Sequence, residues 1–148
     1  MFRSRIVILA TFALALVLVA CTTEQDDSGT TSDRNSHGNE IGGYVELVDA
    51  LGAAGTSVEP AGTVEQPFFS VDGQIIRVNG ADVQVFEYAD EVARQTESER
   101  ISNDGSAIGT SMVTWVERPN FWATGRVIVL YVGTNGEIMD LLEGALGE

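Results

Sequence analysis

The sequence predicts an α+β fold: a single two-layer domain over residues 41–148, mainly antiparallel sheet with about three helices on one face. Three observations predict it. Asn79-Gly80 separates two apolar-rich runs, and this dipeptide tolerates the positive φ that both central positions of a type I′ hairpin turn need. Val127-Ile128-Val129-Leu130 is apolar on both faces, as a central strand is. Apolar stripes at helical spacing open and close the domain.

Taken in order, Tyr44, Leu47, Val48 and Leu51 put one stripe on a first helix that ends near Gly52 or Gly55. Thr56 to Val64 reads as an irregular strand broken at Pro60. Gln74–Val78 and Ala81–Tyr88 are the two arms of the hairpin. Asp90 is placed to cap a second helix running to about Ile101, with Glu91/Arg94 and Glu97/Arg100 on neighbouring turns. Its apolar face is weak: Val92, Ala93, Thr96 and Ile101. After a turn at Asn103-Asp104-Gly105, Met112–Glu117 and Arg126–Val132 read as strands. Thr134-Asn135-Gly136-Glu137 fits a capping box, Ile138, Leu141, Leu142 and Ala145 form the stripe of a closing helix, and Gly147 stops it. Pro67-Phe68-Phe69 with Gly73 can be laid over Pro119-Asn120-Phe121 with Gly125, so the domain reads as two α-β-β units and a closing helix.

Ahead of the domain, Arg3 and Arg5 precede a run without charge from Ile6 to Ala20, closed by Leu18-Val19-Ala20-Cys21. The run is 15 residues, short of the roughly 20 that span a bilayer. A basic start, a short apolar stretch and small residues before the cleavage point are the parts of an export signal. With the only cysteine of the chain at its end, the segment resembles the signal peptide and lipobox of bacterial lipoproteins. The resemblance covers residues 1–21. It implies that residues 1–20 are removed, that Cys21 carries a diacylglyceryl thioether, and that its new amino group is acylated, for example by palmitate. Two or more chains hold a protein on a membrane where one exchanges off. It also implies the extracytoplasmic face of the cell membrane, and Thr22 in place of Asp favours outer-membrane transfer where the envelope has that layer.

Residues 22–40 carry Thr, Ser, Gly, Asn, Asp and Glu and no large apolar side chain, a composition that buries too little surface to fold. With Cys21 they read as a disordered tether, which as flexible coil would hold the domain roughly 20–25 Å from the membrane. The only histidine, His37, falls in this tether and reads as filler.

Without the signal, six arginines face 22 acidic residues, a net charge of −16, and there is no lysine. Such a surface repels phosphate backbones and anionic headgroups, which excludes nucleic acid as a partner and leaves the membrane to the lipid anchor. The domain has no histidine, cysteine or lysine, so the usual partners of a nucleophilic serine, thiol or Schiff-base amine are missing, as are zinc sites of the His/Cys kind. Gly105-Ser106-Ala107-Ile108-Gly109 departs from G-x-S-x-G and lacks a phosphate-loop lysine, so it reads as a loop. No catalytic residue, metal or cofactor is expected.

Aromatic pairs remain, at Phe68-Phe69 and Phe121-Trp122. Neighbours on an extended segment point to opposite faces. If helices cover one face only, one ring of each pair lies on the open face near Arg77, Arg118 or Arg126, and Phe69, Trp122 and Arg126 form an exposed aromatic and guanidinium patch of the kind enriched at binding hot spots. The expected function is thus a membrane-anchored envelope lipoprotein with a non-catalytic binding or accessory domain. Its partner would be an envelope protein, peptide or polysaccharide. The alternatives are an envelope glycan hydrolase that uses a carboxylate pair, and a purely structural surface protein.

Overall fold

The structure, a computed structural model, describes residues 41–147. The expectations placed on residues 1–40, Cys21 among them, lie outside the described residues.

The chain enters at Ile41, whose side chain is buried, and Gly42 accepts a hydrogen bond from the Arg126 amide at 3.0 Å. Helix α1 (Tyr44–Ala53) buries Leu47 and Leu51, two members of the predicted stripe. It ends in a Schellman arrangement: Gly55 has φ +80°, Thr56 N–H reaches back to the Leu51 carbonyl, and Gly55 N–H reaches that of Gly52.

Strands β1 (Val58–Val64), β2 (Gly73–Val78) and β3 (Ala81–Glu87) follow as an antiparallel meander. Pro60 does not break β1. A register shift between Pro60 and Gly62 absorbs it, and an edge strand tolerates a proline that a central strand cannot. Asn79 and Gly80 both have positive φ, as the type I′ turn requires.

Helix α2 (Glu91–Ser98) starts where expected, with the Asp90 carboxylate accepting from the Ala93 amide at 2.8 Å. Both expected ion pairs form: Arg94 to Glu91 at 3.2 Å and Arg100 to Glu97 at 2.8 Å. The helix stops short of Ile101, which instead bridges to Ile108. A small hairpin of β4 (Ala107–Ile108) and β5 (Ser111–Met112) comes next.

Here the chain departs from the sequence reading. Met112–Glu117 is not a strand: Met112 closes β5, the Val113 amide still bonds the Ser106 carbonyl at 2.9 Å, and beyond it no strand pairing continues among the described residues. It still alternates: Val113 and Trp115 pack inward, whereas Met112 and Val116 are exposed. The strand lies further on, as β6 (Pro119–Thr124), antiparallel to β7 (Val127–Val132). Gly125 turns between them with φ +49°. The closing helix α3 (Gly136–Leu146) is capped by Asn135, not Thr134, through its side-chain oxygen to the Glu137 amide at 3.0 Å, and it ends at Gly147 with φ +77°.

The five-stranded sheet has the order β1-β2-β3-β7-β6, antiparallel throughout, so the expected α+β class with an antiparallel sheet is the observed one. β7 is buried along Val127–Tyr131, and a strand apolar on both sides needs cover on both. One cover is α1 and α3, packed on Ile76, Val78, Val83, Val85, Val127 and Val129. The other holds Phe68, Phe69, Phe86, Ile128 and Leu130, and is closed by Ala93 of α2, Ile108 of β4 and Trp115. The helices therefore divide between the two faces, and the face that would have carried an aromatic patch is covered over Phe86, Ile128 and Leu130. The supposed repeat also dissolves, since Pro67-Phe68 is a turn and Pro119–Phe121 is strand.

Candidate ligand-binding site

The three residues expected to form a patch are not together. Phe69 is buried, with its ring 4.6 Å from Phe86 and 5.0 Å from Phe68, on the face away from α1 and α3. Trp122 is half-buried against the opposite cluster. Alternation along β6 separates it from Phe121, which joins the Phe69 side. Arg126 is occupied: its guanidinium meets Glu87 at 2.8 Å, and Glu87 also accepts from the Tyr44 amide. That pair ties the start of α1 to the β6–β7 turn, which is a structural task.

Trp122 nevertheless lines a depression. About 400 Å³ opens along β6, one of the two edge strands, between the loop Ile101–Gly105 on one side and Met139 and Glu143 of α3 on the other. Each wall is fixed by local chemistry. Oδ1 of Asp104 accepts from the Ser102 hydroxyl at 2.8 Å and from the Ser106 amide and hydroxyl at 3.0 and 2.8 Å, so the loop folds around one carboxylate. These hydrogen bonds, first the Ser106 amide and then the two hydroxyls, favour the charged form and hold the carboxyl down to about 2. Gly105, with φ +68°, lies so close to β6 that a side chain there would strike Pro119 and the Phe121 ring. Arg118 is held at the strand start, where its carbonyl accepts from the Gly133 amide at 2.9 Å. Asn120 adds a side-chain bond to the Gly133 carbonyl at 2.9 Å.

No family model, curated protein or solved structure matches this chain.

The chemistry of the depression rests on its own residues. Arg77, Arg94, Arg100 and Arg126 each have an acidic partner, so Arg118 is the one arginine among the described residues without one. Of the two indoles, Trp115 spends its N–H on the Gly105 carbonyl at 2.7 Å, whereas Trp122 has no intramolecular partner among the described residues. Asn103, Asp104, Arg118 and Glu143 are exposed. The depression thus offers a mixed set of donors and acceptors beside a half-exposed ring, on a frame set by backbone contacts.

A larger groove of about 680 Å³ runs between α1 and α3. Ala50, Ala54, Gly144 and Ala145 line it, with Asp140 and Thr124 as its polar groups. Small-molecule sites combine an apolar wall with a few convergent polar groups, and that convergence is weaker here than at the β6 edge. Among the described residues no three His, Cys, Asp or Glu side chains gather as a metal site would need, and no helix is long and apolar enough to cross a membrane.

The sequence marks the Asn103–Gly109 loop and Trp122 separately. Arg118 stands there with Arg77 and Arg126 as a cation near the aromatic pairs, but not as the one without an acidic partner. The signal was available: Arg94 and Arg100 each have an acid three residues earlier, at helical spacing, whereas Arg118 has none at that spacing on either side.

Proposed function

We propose that this chain is a membrane-anchored lipoprotein of the bacterial cell envelope, held by acyl groups on Cys21 at the extracytoplasmic face, with a non-catalytic binding domain. The anchor is supported by the basic start, the short apolar run and the single cysteine that closes it. The binding part rests on one observation, the β6-edge depression with Trp122 and an Arg118 that has no acidic partner among the described residues. The site is thus placed differently from the Phe69–Trp122–Arg126 patch, and Trp122 alone is common to both.

Labelling cells with radioactive palmitate tests the anchor. The parent chain takes up label and fractionates with membranes, whereas Cys21→Ser takes up none and accumulates as unprocessed precursor or is released. Normal processing and membrane retention of Cys21→Ser would sink the lipoprotein reading.

A second reading, hydrolysis of an envelope glycan, draws on Asp104 and Glu143, which line the same depression. A glycosidase needs one carboxyl raised by its surroundings to act as acid. Asp104 is moved the opposite way, and Glu143 is exposed rather than enclosed. Binding without turnover fits these groups better.

A further inference from the structure

We propose that the β6-edge depression takes a neutral saccharide, an inference that rests on the binding reading above and names its ligand class. The volume, about 400 Å³, falls within the roughly 300–1,000 Å³ of small-ligand sites. Its polar groups are of both kinds: Arg118 and the Trp122 indole donate, Asp104 and Glu143 accept, and Asn103 does both. A hydroxyl donates once and accepts twice, so a ring bearing several hydroxyls answers such a mixed set, with its C–H face against the indole.

Competing ligands fit less well. An anion would meet Arg118 but also two carboxylates, on a chain of net charge −14. An added peptide strand would find a short template. The Gly133-to-Arg118 hydrogen bond sets the alternation, so Pro119, Phe121 and Ala123 turn their backbones outward, and Pro119 has no N–H to give. Two residues with complete backbone groups make a weak edge for β-addition.

The test is a ¹H–¹⁵N correlation experiment on the full chain, solubilised in a detergent without a sugar headgroup. Maltose, cellobiose and N,N′-diacetylchitobiose serve as neutral probes, galacturonate as the anion and trilysine as the cationic peptide. At millimolar concentration at least one neutral disaccharide should shift the Trp122 indole N–H and the Asn103 side-chain amide. Arg118→Ala and Asn103→Ala, both at exposed positions, should each weaken that binding about ten-fold while the rest of the spectrum stays in place. If trilysine or galacturonate moves these resonances and the disaccharides do not, the saccharide inference falls and the site survives. If the disaccharides leave them still while any probe shifts another surface, both the inference and the site are wrong. Silence from every probe overturns the saccharide inference.

Discussion

The indole N–H of Trp115 donates a 2.7 Å hydrogen bond to the Gly105 carbonyl, and this bond couples the aromatic core to the wall of the candidate site. Trp115 meets Phe68 and Phe121 edge-on, each at 5.9 Å, and through Phe68 the series continues to Phe69 and Phe86. Edge-to-face pairs at such spacings are favourable beyond the area they bury. Gly105 sits next to the Asp104 carboxylate, so the order of the loop is reported by the environment of a core tryptophan.

That coupling makes the loop pH-sensitive in a defined direction. The Asp104 carboxyl is held down to about 2 from 3.8, so its contribution is whole above about pH 4 and is lost as pH falls through about 2. In a Trp122→Phe background, Trp115 emission should change over that window. Asp104→Ala should show the altered emission already at neutral pH and no acid step. An emission flat from pH 5 to pH 1.5 in the Trp122→Phe chain would refute the coupling.

Tyr88 gives the opposite kind of prediction, a deletion that helps. Its hydroxyl is buried without a hydrogen-bond partner among the described residues. Burial raises the phenol well above its usual range, and the nearby Glu97 carboxylate adds to the rise, with Arg100 opposing it. An unmet buried donor costs about 1–3 kcal/mol, so Tyr88→Phe should hold or raise stability, by up to about that amount. A lower thermal midpoint for Tyr88→Phe would mean that the hydroxyl has a partner.

The elements most legible in the sequence are those whose signal is local. Asn79-Gly80, the Asp90 cap and the Leu47/Leu51 stripe each depend on a few neighbouring residues, and each forms where the sequence puts it. β6 was hidden because Pro119 argues against a strand, and only its place at the sheet edge makes the proline acceptable. Val113–Glu117 shows the converse, an alternating segment that packs into the core but does not extend the β4–β5 pairing into a strand. The candidate site was legible in pieces. Its walls come from residues 101–105, 118–122 and α3, and what joins the first two is the close approach of Gly105 to Pro119 and Phe121, which no local pattern announces.

Phe69 and Trp122 should separate cleanly under mutation. Phe69 is a core ring, so Phe69→Ala should cost about 3–5 kcal/mol, read as a fall in the urea midpoint. Trp122→Phe keeps a ring of similar character on the half-buried side of an edge strand and should cost less than about 1.5 kcal/mol. Equal losses in the two variants would contradict the division of these rings between core and site.

Gly125 tests how the entering chain is seated. It begins the β6–β7 turn with φ +49°, a conformation that L residues adopt only with strain, and the space for a side chain is taken by the Ile41 carbonyl and by Gly42. Backbone, unlike the end of a flexible side chain, has little freedom to give way. The same turn presents Arg126, whose amide bonds Gly42 and whose guanidinium holds Glu87 of β3, the acceptor of the Tyr44 amide at the start of α1. Gly125→Ala therefore both strains the turn, by about 1–3 kcal/mol, and displaces the strap that leads into α1. For a domain of this size each kcal/mol moves the thermal midpoint by about 4–8 °C, so a loss of at least 4 °C is expected. Gly52→Ala is the control, because nothing lies within 4 Å of its added methyl and alanine favours the helix, so its midpoint should hold or rise. A Gly125→Ala chain as stable as its parent would show that residues 41–42 do not bear on the turn.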